Sequence, residues 1–314
     1  MPQRKVGLIG LGNMGRNHLR VLSMLKNIDI EFISDVNVEQ GEELAKKYEV
    51  RFVSDITEVI KSVDSVLIVT PTSTHYEYIE KVSDSVKHIF VEKPLVATLE
   101  ETLKTQKLIE EKGLRVQVGF IERFNPAVTA LKNTVDGSNV INIDFVRTNK
   151  VSGRITDVDV IVDLMIHDID LALFLNGPAK HVEAYGALEG NLIAFARASI
   201  QHENGSYSNI MASRMTEKLM RHISVTAEDM YVDCNLLRKE VMVNRQSVTG
   251  TYKKSSVSSM AETIYVRFNE ALLLELMAFF DMAMDQEVQP AGVDASIQAI
   301  TVAEAVQAQI RKKL

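Results

Sequence analysis

Tryptophan is absent from the chain, and cysteine occurs once, at Cys234, so no disulfide can form within it. No Cys/His set stands at metal-ligand spacing, and no metal site is expected. Long apolar runs are missing as well. The most continuous, 171–175 and 271–280 with Glu275 inside it, stop well short of the roughly 20 residues a membrane helix needs. Positive charge is not in excess: 35 Lys plus Arg stand against 42 Asp plus Glu, a net charge of -7, which argues against a broad basic footprint for nucleic acid. The opening Met-Pro-Gln-Arg-Lys leads into an apolar run too short for a signal peptide, so the expected location is cytoplasmic.

What is present is a chain of 314 residues, 46% hydrophobic and 25% charged, room enough for two domains of about 150 residues. Its first 120 residues alternate strand and helix. Strands are expected at 5–10, 29–35, 51–53, 65–70, 88–92 and 115–119, mostly unbroken Val, Ile, Leu and Phe as in strands covered on both faces, with helices at 15–25, 38–48, 74–83 and 98–111. That alternation predicts an α/β, doubly wound parallel sheet. After Phe120 the rhythm changes to successive strands at 140–148, 182–188, 193–202, 208–213, 222–227, 230–235 and 240–243, with one apolar helix at 162–175. A mostly antiparallel sheet with a helix on one side, an α+β domain, is the expectation. Two helices close the chain near 269–284 and 294–312. The Ser, Thr and Lys-rich stretch 250–259 reads as a loop, and Met277, Phe280 and Met284 read as a core-packing stripe.

Gly10-Leu11-Gly12-Asn13-Met14-Gly15 follows the first strand and opens a helix. Its first glycine permits the tight turn, its second the approach of backbone amides to a pyrophosphate, and its third close helix-strand packing. Asp35, 20 residues beyond Gly15, ends the second strand, where a carboxylate accepts from a ribose 2′-hydroxyl and repels a 2′-phosphate. The pattern predicts NAD rather than NADP. Glu92-Lys93-Pro94 ends the fifth strand at the ligand-binding edge of such a sheet. Proline keeps Lys93 out of helical conformation and allows a cis bond, although a plain surface lysine is the alternative reading. Asp163, His167 and Asp170 fall at i, i+4 and i+7, one polar stripe on an otherwise apolar helix that also holds Asp168; a capped helix with a core histidine is the alternative. His18 and His75 lie near the expected cofactor loops.

Together the glycine motif, Asp35, Thr70-Pro71-Thr72, Glu92-Lys93-Pro94 and the Asp163 to His167 pair resemble the glucose-fructose oxidoreductase and inositol dehydrogenase (Gfo/Idh/MocA) family over essentially the whole chain. Segments 121–128, 154–157 and 163–170 are similar to bacterial dehydrogenases of UDP-N-acetylhexosamines and related nucleotide sugars, which oxidise a ring hydroxyl at carbon 3. The resemblance implies a Rossmann NAD-binding domain (1–122), a substrate and oligomerisation domain with an open sheet (123–288), a substrate cleft between the two, and a final helix (289–314) that returns to the first domain. It implies a cofactor site made of Gly10, Gly12, Asn13, Met14, Gly15, Asp35, Thr70, Pro71, Thr72, His75, Glu92 and Lys93. It places substrate at Arg123, Asn125, Arg154, Asp163 and His167. In the same reading Lys93 binds the reacting hydroxyl, His167 accepts its proton, and Asp163 supports the site.

Ser213-Arg214 departs from the aromatic residue common in the nucleotide-sugar enzymes, while Thr216, Lys218 and Arg221 fit. A diphosphate needs cations, for which Arg123, Arg147, Arg154 and Arg221 are candidates. The partners implied are a small sugar or nucleotide-sugar substrate and a second copy of the chain, in a homodimer or homotetramer; no nucleic acid or membrane partner is expected. A dehydrogenase of free sugars or cyclitols and a non-catalytic NAD(H)-binding regulator are the alternatives.

Overall fold

The computed structural model describes residues 4–149, 158–251, 254–284 and 291–313. Two compact units divide the chain, one of residues 1–121 and 272–297, the other of residues 122–271 and 298–314.

The first unit alternates β1 (Arg4–Ile9), α1 (Asn13–Leu22), β2 (Ile28–Ser34), α2 (Val38–Tyr48), β3 (Phe52–Val53), β4 (Ser65–Ile68), α3 (His75–Val82), β5 (His88–Glu92), α4 (Leu99–Lys112) and β6 (Arg115–Gly119). The strands pair in parallel in the order β3-β2-β1-β4-β5-β6, the doubly wound dinucleotide-binding arrangement. Val6, Leu8, Val66, Leu67, Ile89 and Phe90 are wholly buried, as their unbroken apolar runs require. Helix ends are set locally: Asn37 accepts from the Gln40 N–H to start α2, and Thr98 from the Glu101 N–H to start α4.

The second unit begins with α5 (Pro126–Val135) and β7 (Val140–Thr148). A π-helical turn at Ile161–Met165 then runs into α6 (Ile166–Asn176). Strands β8 (Ala179–Glu189), β9 (Leu192–His202), β10 (Tyr207–Ser213), β11 (Met220–Ala227), β12 (Met230–Asn235), β13 (Glu240–Thr251) and β14 (Lys254–Ile264) complete an eight-stranded sheet in the order β14-β13-β12-β11-β7-β10-β9-β8. Among the described residues of this sheet, β7 and β10 pair in parallel and the other neighbours are antiparallel.

Several expectations are corrected here. Helix α5 was not expected; its start is written as Asn125-Pro126, with the Asn125 carboxamide accepting from the Ala127 N–H and proline at the first helical position. Within the stretch 250–259 the described residues 250–251 and 254–259 are strand rather than loop, with Gly250 of β13 opposite Ser255 of β14.

The returning helix is α7 (Ala271–Met284), not the last one. Leu272, Leu276, Phe279 and Phe280 join Val6, Leu19, Leu67 and Phe90 in the first unit's core. Arg4 and Arg115 tie the end of α7 by donating to the Ala283 and Met282 carbonyls. Met277 and Met284 remain exposed, so of that stripe only Phe280 is core. Most of α8 (Val293–Lys313) belongs to the second unit, where Gln309 bridges the Ala184 N–H and the Val182 carbonyl, and Arg311 and Gln307 both donate to Asp159.

Candidate functional site

The glycine turn shows why each glycine is needed. Gly10 holds φ +95, and a side chain there would meet the Val69 carbonyl oxygen at 2.4 Å. A Cβ at Gly15 would lie 2.0 Å from the Gly10 oxygen, so this glycine lets α1 lie against the turn. Gly12 is different. Beyond its own chain neighbours, no protein atom lies within 4 Å of its would-be Cβ. Packing does not explain it, but a cofactor approaching the start of α1 does, since free N–H groups and the positive end of the helix dipole favour a pyrophosphate there.

Asp35 is built into the same loop, accepting from the Leu11 N–H at 2.6 Å and the Asn37 N–H at 2.8 Å, while the Gln40 amide donates to the Leu11 carbonyl. These residues fit a dinucleotide: amides for phosphates, a fixed carboxylate for a ribose diol, and room at Gly12.

Beyond β4, Thr70, Pro71 and Thr72 lead into α3, and the Thr74 hydroxyl bonds both Thr70 Oγ1 and the Pro71 carbonyl. His75, expected at the cofactor, lies behind the loop with both ring nitrogens against main-chain carbonyls. Glu92 also turns inward. Its Oε1 pairs with His18 Nε2 at 2.8 Å and its Oε2 accepts from the Lys93 N–H at 3.1 Å, so it anchors the turn that presents Lys93. The Lys93-Pro94 bond is cis.

In the second unit the stripe expected at 163, 167 and 170 is split. Asp163, on the π-helical turn, and His167 are partly exposed, while Asp170, further along α6, is buried. Arg123 forks onto Asp170 at 2.8 and 2.6 Å and stacks on Phe174, 4.7 Å from the ring centre. Burial pushes the Asp170 carboxyl up to about 6, against the pull of Arg123. Arg147 places two nitrogens on Asp168, each at 2.8 Å, and a third on Glu122 at 2.8 Å. Burial alone would raise the Glu122 carboxyl, but Arg147 and then Arg221 hold it below the ordinary carboxylate value.

Two of the arginines expected at substrate are therefore spent inside the fold, and Asn125 caps α5 while its amide nitrogen donates to Glu122. Arg154 lies outside the described residues. Arg221 touches Glu122 with one nitrogen at 3.4 Å, and its side chain is 42% exposed.

Arg214, a departure from the family pattern, is the residue that sequence reasoning undervalued. It donates to Asp163 Oδ2 at 2.9 Å and to the Val158 carbonyl, fixing the carboxylate four residues before His167. A cation where an aromatic is common was the available signal. Among the described residues no cluster of His, Cys, Asp and Glu is placed to hold a metal, and no helix is long and apolar enough to cross a membrane.

Comparison with known proteins agrees with this geometry. Residues 4–120 match the Gfo/Idh/MocA family model, described as an oxidoreductase family with an NAD-binding Rossmann fold. The chain is 31% identical over 245 residues to UDP-N-acetylglucosamine 3-dehydrogenase of Acidithiobacillus ferrooxidans, covering 77% of each chain. It is 28% identical over 304 residues to scyllo-inositol 2-dehydrogenase (NAD(+)) of Bacillus subtilis, covering 88% of this chain and 85% of that one. The solved structure of the Acidithiobacillus ferrooxidans enzyme superposes with a TM-score of 0.88 over 99% of both chains at 26% identity. The parallel six-stranded sheet is thus the Rossmann fold of an NAD-binding oxidoreductase, and the chain belongs to the Gfo/Idh/MocA oxidoreductase family.

Proposed function

We propose that this NAD-dependent oxidoreductase acts on a ring hydroxyl of a sugar, at carbon 3 of a UDP-N-acetylhexosamine-type nucleotide sugar. The observation that carries the reading is the pairing of a positioned Asp163, four residues before His167, with the likeness to a UDP-N-acetylglucosamine 3-dehydrogenase. NAD, when bound, supplies the hydride acceptor. It is held by Gly10, Gly12, Asn13, Met14, Gly15, Asp35 and the Thr70-Pro71-Thr72 loop.

The protein's part is proton transfer. A carbinol carbon gives up hydride only as its hydroxyl proton leaves, which calls for a base, and the imidazole of His167 has that chemistry. The carboxylate of Asp163, itself fixed by Arg214, stabilises the imidazolium that forms. The Lys93 ammonium stabilises negative charge developing on the oxygen. Arg221, with donors beyond its single contact to Glu122, serves the diphosphate.

The test is NADH formation from matched UDP-N-acetylglucosamine and free N-acetylglucosamine. Nucleotide contacts also orient the reacting carbon, so kcat/KM for the UDP form should be far higher. Comparable values would remove the nucleotide-sugar reading. A second reading, a cyclitol dehydrogenase, is favoured by the 28% identity to the inositol enzyme over 88% of the chain, and scyllo-inositol belongs in the same panel. Self-association is assigned to the open face of the second sheet, where Tyr185, Tyr207, Tyr231 and Met242 are exposed on one side; light scattering should give a dimer or tetramer, and a monomer would contradict it.

A further inference from the structure

Of the wholly enclosed histidines that stand outside the proton-transfer chemistry, two, His18 and His75, bear on the turn that carries Lys93. His18 of α1, 0% exposed, grips Glu92 from one side. His75, 1% exposed at the start of α3, holds the other side. Its Nδ1 lies 3.0 Å from the Pro94 carbonyl oxygen and 3.1 Å from that of Leu95, and its Nε2 lies 2.9 Å from that of Thr70. Carbonyl oxygens accept and never donate. A neutral imidazole has one N–H and one lone pair, so it would aim that lone pair at an oxygen on one side or the other. Only the ring with hydrogen on both nitrogens satisfies both sides.

We propose that His75 is a positioning residue, a doubly protonated ring that ties the Thr70-Pro71 loop to the Lys93-Pro94-Leu95 turn. The two segments follow β4 and β5, which pair in parallel and so end at the same edge of the sheet. One follows the strand whose loop serves the cofactor, and the other carries the lysine that serves the reacting oxygen. The Lys93 main chain is thereby fixed twice, its N–H by Glu92 and the two carbonyls that follow it by His75. Burying a cation costs free energy, and three carbonyl dipoles directed at it offset that cost. The gain is a lysine whose backbone does not wander between turnovers. The role given to Lys93 rests on the function proposed above, whereas the state of the His75 ring does not.

The first test is direct 15N NMR of the full chain, labelled at the histidine rings, near pH 7.5 and without ligand, with the His75 signals identified by their loss in His75→Gln, or in His75→Asn if the glutamine variant misfolds. Two protonated ring nitrogens are expected, and one protonated with one bare nitrogen overturns the proposal. The second reads positioning through 13C-methylated lysines, with Lys93 assigned by Lys93→Arg. In the folded His75 variant the Lys93 signal should shift or broaden while that of Lys239 stays in place. An unmoved Lys93 signal overturns the positioning role. Neither measurement uses a sugar, so failure of the substrate reading would show separately.

Discussion

Arg147 and Asp168 form a forked ion pair, two nitrogens on two oxygens at 2.8 Å each, that pins α6 to β7 in the second unit's interior. Breaking such a pair from one side leaves a buried charge uncompensated and costs about 3–5 kcal/mol, whereas replacing both partners by apolar groups costs far less. Arg147→Met should lower the denaturation midpoint sharply, and adding Asp168→Leu should restore part of the loss. A double variant at least as unstable as the single one would refute this account of the pair.

The glycine turn separates folding from cofactor binding. Gly15→Ala drives a Cβ into the Gly10 carbonyl and should destabilise the first unit, while Gly12→Ala meets no protein atom and should leave the melting temperature nearly unchanged. NADH affinity should nevertheless fall in Gly12→Ala. Retained affinity would mean that the cofactor does not approach the start of α1.

Cofactor choice follows from Asp35, held by the Leu11 and Asn37 amides. NAD(H) should bind at least tenfold, about 1.4 kcal/mol, more tightly than NADP(H). With no tryptophan to quench, calorimetry is the suitable readout. Equal affinities would show that the carboxylate does not discriminate.

Cys234 is buried on β12, and burial, then the charge of Asp233, pushes its thiol up to about 12. An acid raised that far stays protonated at pH 8, and the thiol is a poor nucleophile. Thiol reagents at pH 8 should label the native chain very slowly and the denatured chain at once. Rapid native labelling would contradict this placement.

The parallel strands of the first unit were legible in the sequence, because a buried parallel strand announces itself as an unbroken apolar run: β5 and β6 match their expected bounds. Less was legible where local pattern does not determine the outcome. Ser, Thr and Lys through 250–259 carry no apolar alternation, yet residues 250–251 and 254–259 keep the hairpin register. The charge of Arg123 is plain in the sequence, but its partner Asp170 lies 47 residues away, so a core fork reads like a substrate cation. The i, i+4, i+7 spacing put Asp163, His167 and Asp170 on one stripe, but α6 buries most of its residues other than His167, so Asp170 meets Arg123 inside the fold.

The central claim, that His167 is the base of an NAD-dependent dehydrogenase, is tested most directly by measuring turnover and NADH affinity together in His167→Ala. The account predicts a turnover number lower by about two to four orders of magnitude, the usual worth of a general base, with NADH affinity unchanged. Near-native turnover in that variant would contradict it.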